Sequence, residues 1–362
     1  MAENMAPKSG LPTERFNISY GEWARGGWGM LLTGNVQVDA DYLGNVGEAS
    51  VDPSLEPELS MAWKEWASAC NSHGTPTLMQ LNHTGRQSPI MAGKRGLWTK
   101  TIAPSPIPLD MGPFLLAKAL VPLVFGTPRE MSQADINKVI EQFTYASRKA
   151  AEAGTDEYGG SAANRARIVV QTLESIKRAV PAGFCVGIKF NSVDQQSTDE
   201  LRDCIEQLKL IVATNIDFVE ISGGTWEDPK MMSNVDYDMR KAKSEHTKAR
   251  EAFFLDFAKA IRNEFPSIPL MVTGGFRTRS GMRSAVQSGG CDLVGIARPA
   301  AILPQLPNDI IFNQKVNDED AVLPCKHLET PLLAKVTGIK AIGSGAESKW
   351  YGLQISKMTR NV

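Results

Sequence analysis

Six times along the chain a short apolar run is followed by a longer stretch whose apolar residues recur every three or four positions. Runs of the first kind suit strands buried on both faces, and those of the second suit helices laid over a sheet. Their strict alternation points to a parallel α/β fold. Strands are expected at 29–38, 77–81, 185–190, 217–222, 270–274 and 292–296. The strands carry few glycine-rich dinucleotide turns, so a TIM-type (β/α)8 barrel fits better than an open doubly wound sheet.

The intervening helices carry their own punctuation. Ser60 is placed to cap a helix with Trp63, Trp66, Ala67 and Cys70 on its inner face. Ser132 and Asp135 form the start signal of a second, which Gly154 closes. A third is expected at about 162–180, a fourth around Leu201, Ile205 and Leu208, a fifth around Phe253, Phe257 and Ile261, and a sixth after Thr278. Residues 87–130 are rich in proline and poor in periodicity, which reads as a long loop over a barrel mouth. The whole of 1–362 is read as one barrel domain, with 326–362 as a C-terminal extension.

With 362 residues, 42% of them hydrophobic, the chain can bury a large core. The net charge of −1, without a block of Lys or Arg, argues against nucleic acid or an anionic membrane as partner. A small-molecule substrate fits better; nothing in the sequence fixes the oligomeric state. Cys70, Cys185, Cys204, Cys291 and Cys325 are widely spaced and form no metal-ligand pair, so they read as reduced thiols. No run has the length of a signal peptide or a membrane span, and a cytoplasmic location is expected.

Three constellations carry chemistry. QLNHTGR, residues 80–86, follows the second strand, where barrel active sites form. The Gln80 amide can match the mixed donor and acceptor edge of a flavin ring. His83 reads as a structural histidine bonded within its loop, with direct chemistry as the other reading. In VGIKFNS, 186–192, Lys189 ends an apolar strand. It either sets positive charge beside the N1 and O2 edge of a reduced flavin or pairs with a carboxylate such as Glu220. The third lies in LMVTGGF and CDLVGIARPA. There Gly274, Gly275, Phe276 and Gly295 offer close backbone approach to a phosphate, and Arg298 adds a forked cation. Ser222, Gly223 and Gly224 end another strand, and Trp226 is either a wall for an apolar substrate or loop packing.

Together these segments resemble the old yellow enzyme family of FMN-dependent ene-reductases and NADH:flavin oxidoreductases, and most of all its fungal members. The likeness runs through YGEWARGGWGMLLTGNVQVD, QLNHTGRQS, PREMS, FTYASRKAAEAG, TDEYGGSAANRAR, VGIKFNS, FVEISGG, TGGFRT and GIARP. The resemblance implies FMN, with NADH or NADPH as reductant and an α,β-unsaturated carbonyl compound as acceptor, in a setting such as fungal secondary metabolism. It gives Gln80 and Lys189 the flavin ring, and Gly274, Gly275, Phe276, Gly295 and Arg298 the ribityl-phosphate end.

Two family segments have no counterpart. The strand that normally precedes the YxxxA element at Tyr20 and Ala24 is not there. AAEAG also joins TDEYGG directly at Gly154–Thr155, where the family inserts a strand and a loop bearing the substrate-gripping His and Asn or His pair and the proton-donating Tyr. The resemblance therefore implies an incomplete or distorted barrel with about six recognisable strands, and leaves its catalytic residues unassigned. Omitted coding sequence, a shortened isoform or a noncatalytic flavin-binding pseudoenzyme would each account for this. Tyr158 reads as part of a structural loop rather than as a substitute proton donor. A barrel isomerase or lyase, which would bind no flavin, suits Gln80 and Lys189 less well.

Overall fold

The computed structural model describes residues 3–111, 115–153, 156–158, 164–191, 198–222, 257–326, 328–329 and 340–359. At its centre lies a wholly parallel sheet of eight strands. They are β1 (Leu31–Gln37), β2 (Ala49–Ser50), β3 (Thr77–Asn82), β6 (Asp156–Tyr158), β7 (Val186–Asn191), β8 (Phe218–Ser222), β9 (Leu270–Thr273) and β10 (Leu293–Gly295). Their order is β2-β1-β3-β6-β7-β8-β9-β10, and a separate short sheet joins β4 (Ile102–Ala103) to β5 (Arg129–Glu130). The helices are α1 (Glu14–Arg25), α2 (Glu58–Cys70), α3 (Leu115–Phe125), α4 (Gln133–Ala153), α5 (Asn164–Ala179), α6 (Thr198–Val212), α7 (257–264), α8 (Arg279–Gln287), α9 (Arg298–Ile302) and α10 (Lys340–Met358).

All six strands read from the sequence are present, and their two faces do different work. Met79, Leu81, Ile188, Phe190, Val219, Ile221, Leu270 and Val272 point outward into the main core, against helix residues such as Trp63, Trp66, Phe143, Leu173, Leu208 and Ile261. Each such fully buried side chain contributes roughly 1.5–3 kcal/mol. The alternate residues Leu78, Phe218 and Met271 form a second cluster with Met30 and Leu32. Leu78 on β3 and Phe218 on β8 are not neighbours along the sheet. They share a cluster because the sheet curls and its inner face meets itself, as in a barrel. Gly187 makes room for this plug, since a Cβ there would lie 2.4 Å from the Phe218 ring.

Among the described residues no ladder joins β10 to β1 or β2. The two edges are held instead through α1 and α9. Trp23 Nε1 donates to Ala300 O at 2.9 Å, Trp28 Nε1 donates to Pro304 O at 2.7 Å, and α10 packs on both helices. On the β1 side, a bulge between Leu32 and Asn35 turns the Gly34 N–H toward the buried Glu3 carboxylate, which accepts it at 3.0 Å. The Tyr20 hydroxyl donates to the same carboxylate; burial and that charge push its pKa well above the ordinary phenol value.

Three expectations change. TDEYGG was expected to be a loop, yet Asp156–Tyr158 form β6, with Leu78, Met79 and Gln80 on one side and Val186 and Gly187 on the other. The open N–H and C=O groups of β3 and β7 need a partner, and residues 156–158 supply it. Ser60 is not a cap: α2 starts earlier, and the Ser60 hydroxyl bonds Glu56 at 3.1 Å. The 87–130 region is not structureless. It contains α3, β4 and β5, and a small core of Leu109, Met111, Ala117, Val121 and Phe125. The Ser132 and Asp135 start signal is a closed box, with Ser132 N–H to Asp135 Oδ2 at 2.8 Å and Asp135 N–H to Ser132 Oγ at 3.2 Å. Thr278 caps α8 through the Gly281 N–H at 3.1 Å. Gly154, Phe253, Gly223, Gly224 and Trp226 lie outside the described residues, as do the side chains of Asp156–Tyr158.

Candidate active site

The inward positions that continue the apolar plug toward the strand C-termini are polar. On β3 Leu78 is followed by Gln80, on β7 Gly187 by Lys189, on β8 Phe218 by Glu220, on β9 Met271 by Thr273, and Thr273 lies in register with Gly295 of β10. Strand alternation thus places one layer of hydrocarbon beneath one layer of hydrogen-bonding groups.

Gln80 is half-buried. Its N–H donates to Thr33 Oγ1 at 2.9 Å, and its side-chain amide bonds the Asn35 amide oxygen. The β1 bulge brings Asn35 and Gln80 into register, and beyond them a polar network continues. Gln37 Nε2 donates to Glu48 Oε2 at 2.8 Å; Asn82 Nδ2 and Thr84 Oγ1 donate to Gln37 Oε1 at 3.1 and 2.8 Å. Burial raises the Glu48 pKa above the ordinary carboxyl value. Sequence reasoning named neither Asn35, Gln37 nor Glu48. The signal for Asn35 and Gln37 was polar residues at alternate positions of GNVQVD; Glu48, outside that strand, had none.

Lys189 Nζ donates to Glu220 Oε1 at 2.6 Å, so the carboxylate pairing weighed from sequence is present. Glu220 is fully buried while the lysine side chain keeps 32% of its surface exposed, so the ammonium remains available at the mouth. The other carboxylate oxygen, Glu220 Oε2, is buried without a hydrogen-bond partner among the described residues.

At the far side of the mouth, Gly274 and Gly275 both adopt positive φ, +125° and +81°. L side chains rarely tolerate these values, and bare glycine lets a ligand approach the backbone. Gly295 is required for space, since a Cβ would sit 2.0 Å from Thr273 Oγ1. That Thr273 hydroxyl is itself buried and has no hydrogen-bond partner among the described residues. The Phe276 ring is buried in the main core, so what Phe276 can offer a ligand is its main chain. Arg298 opens α9, largely buried, with Nη1 donating to Glu347 Oε2 of α10 at 3.3 Å.

His83 keeps to its loop. Its Nδ1 accepts the Gly85 N–H at 3.1 Å, its Nε2 is buried without a partner, and burial pushes its pKa down to about 4. It is therefore a neutral ring at physiological pH. Cys70, Cys204 and Cys291 are thiols whose pKa burial pushes up to about 12, 12 and 11, so none is an activated nucleophile. Among the described residues no group of acids, histidines and cysteines could hold a metal, and no helix is long and apolar enough to cross a membrane.

A parallel barrel with an amide, an ammonium and a buried hydroxyl on its inner face, a positive-φ glycine pair following β9 and an arginine following β10 has the plan of a flavin-type α/β-barrel. The chain belongs to the NADH:flavin oxidoreductase / NADH oxidase family, whose profile matches it in two stretches, 3–156 and 154–317. It is 48% identical over 383 aligned positions to the NADH-dependent flavin oxidoreductase iliE of Neonectria sp. (strain DH2), covering 97% of this chain but 50% of that protein. It is 43% identical to the NADH-dependent flavin oxidoreductase iccE of Talaromyces variabilis, covering 97% and 91%. Among solved structures, a 2-naphthoyl-CoA reductase complex matches with a TM-score of 0.73 at 20% identity, over 97% of this chain and 54% of that one. The old yellow enzyme homologue from Zymomonas mobilis matches with a TM-score of 0.65 at 17% identity, over 91% and 89%. These two likenesses support the barrel fold. The family is one of FMN- and NAD(P)H-dependent oxidoreductases, and the orphaned inner-face oxygens of Glu220 and Thr273 and the open glycine backbone fit an FMN.

Proposed function

We propose that this barrel seats FMN across its mouth and serves as an NAD(P)H-dependent oxidoreductase for an electron-poor alkene such as an α,β-unsaturated carbonyl compound. The observation that carries the reading is the polar inner layer of Gln80, Lys189, Glu220 and Thr273 above an apolar plug, in a chain of this family. When bound, FMN would supply hydride transfer between the nicotinamide and the alkene carbon. The Gln80 amide would hold the ring's donor and acceptor edge. The Lys189 ammonium, held in place by Glu220, would stabilise negative charge on the ring's pyrimidine side. The Gly274 and Gly275 backbone, the Gly295 clearance and the Arg298 guanidinium would take the phosphate. The name "NADH-dependent" on the Neonectria and Talaromyces relatives favours NADH as the reductant. The described chain, 87–130 and α10 included, is read as one barrel domain.

A second reading has its own observation. The two family matches meet at 154–156, the aligned span with the Neonectria relative exceeds the length of this chain, and the sheet fills the place between β3 and β7 with three residues of TDEYGG. These support a chain that keeps the flavin platform while lacking the family's substrate-gripping segment at Gly154–Thr155. Without that segment, charge developing on the substrate carbonyl lacks its donors, and turnover falls far more than cofactor binding.

Anaerobic mixing of the FMN-loaded protein with NADH separates the readings. Bleaching of the oxidised-flavin absorption, followed by recovery when an enone is added, supports the full reaction. Bleaching without recovery, cured by restoring the family segment between Gly154 and Thr155, supports the platform reading. Loaded protein that NADH does not bleach contradicts the oxidoreductase assignment.

A further inference from the structure

A buried carboxylate stands at the end of the polar network that leads from Gln80. Glu48, the residue before β2, is 5% exposed, and its partners among the described residues are neutral donors. Its Oε2 accepts from Gln37 Nε2 and from the Gly44 N–H, each at 2.8 Å, and the Asn45 N–H and the Asn35 side-chain amide also donate to the carboxylate. Burial pushes its pKa up, and these four donors pull against that rise. An ionised carboxylate only accepts, whereas a carboxamide can turn over and exchange its oxygen for its nitrogen. Glu48 therefore sets the direction of each amide linked to it. Gln37 offers it Nε2, which leaves Gln37 Oε1 to accept from Asn82 Nδ2 at 3.1 Å and from Thr84 Oγ1 at 2.8 Å. Asn35 offers it Nδ2, which leaves Asn35 Oδ1 to accept from Gln80 Nε2, its register partner across β1 and β3. Gln80 keeps its second side-chain N–H and its carbonyl oxygen, which accepts from no described residue.

We propose that Glu48 is a positioning residue for the ring of the ligand: acting through Asn35, it fixes the direction of the Gln80 amide so that Oε1 and one N–H remain as an acceptor beside a donor. That pair matches the N–H and C=O of a cyclic imide, which the pyrimidine edge of a flavin carries. This rests on the FMN reading above. A reversed Gln80 would set an N–H against the imide N–H, so the fixed direction favours a ring whose imide nitrogen bears hydrogen.

The test titrates FMN and N3-methyl-FMN, which lacks the imide hydrogen, into the flavin-free full chain at pH 8. The same titrations are made on Glu48→Gln, Asn35→Leu, Gln80→Ala and the double variant Glu48→Gln, Gln80→Ala. Wild-type protein should prefer FMN by about tenfold or more. In Glu48→Gln the new amide can meet Asn35 with either end, and the preference should fall about fivefold through weaker FMN binding, with the N3-methyl compound little changed. Asn35→Leu, which cuts the link at similar volume, should do the same and serves if Glu48→Gln does not fold. In the Gln80→Ala background Glu48→Gln should have no further effect. Equal losses for both ligands, an unchanged or larger preference, or a loss that persists without Gln80 would overturn the positioning role. Wild-type protein that binds both compounds equally would also overturn it while sparing the flavin seat. Wild-type protein that binds neither overturns the FMN reading itself, and this inference with it.

Discussion

Two seams of one sheet are built very differently. β7 and β8 pair over five residues, Gly187 with Phe218 through Asn191 with Ser222, and the inner face of that seam carries the Lys189–Glu220 ion pair. β6 meets β3 over three residues and β7 over only two. The first seam lies under the proposed ring seat, and the second lies where the family's substrate-gripping segment would enter. A strand drawn from an apolar sequence brings its own packing to a sheet. A strand of Asp, Glu and Tyr is held chiefly by its neighbours' need for hydrogen-bond partners.

The largest expected contrast is in amide hydrogen exchange. Amides of 218–222 and 270–273 should exchange only through global opening, while those of 156–158 should exchange orders of magnitude faster through local opening. Equal protection in both places would erase the distinction, and protection in β6 alone would invert it. Within the strong half, Phe276→Ala should cost about 3–5 kcal/mol in denaturant unfolding because it empties a core site, whereas Phe276→Leu should keep FMN affinity, since the ring is buried in the main core. A large loss of affinity in the leucine variant would place the ring in the site after all.

Lys189→Met comes next, at about 3 kcal/mol, less than for a fully buried pair because the lysine is partly exposed; it strands the Glu220 carboxylate. Adding Glu220→Gln should recover most of that loss, and failure to recover it would mean the pair is not the cause. The smallest effect is a pH dependence. His83 titrates at about 4 in the fold against an ordinary 6.5, so proton uptake favours the unfolded chain. Stability should be full above pH 6.5 and decline toward pH 4, by about 2 kcal/mol once its partial exposure is allowed for, with no further loss from this group below. His83→Asn should flatten that slope; an unchanged slope would assign it elsewhere.

What the sequence made legible follows from locality. Strands such as VGIKF and LMVT are continuous apolar runs, and the Ser132 and Thr278 caps act within three residues, so their physics is local. Ser60 misleads because a serine ahead of an apolar stripe looks the same whether it precedes the helix or lies within its first turn. Asp156–Tyr158 have no strand signal of their own; their state is imposed by β3 and β7. For the proposed site, the positions of 80, 189, 274, 275, 295 and 298 at strand ends were legible in the apolar runs that precede them, but the burial of the Phe276 ring and the Asn35, Gln37 and Glu48 network depend on which face each residue takes. Glu347 left no trace, because a contact with Arg298 across that separation is set by the docking of α10.

Equilibrium titration of FMN into well-folded, flavin-free protein, read by quenching of flavin fluorescence, addresses the seat itself. The account predicts saturable binding of one FMN per chain, weakened by Arg298→Ala and by Gly275→Val, which puts a β-branched residue at a φ of +81°. Folded wild-type protein that leaves FMN fluorescence untouched when the cofactor is in excess would contradict it.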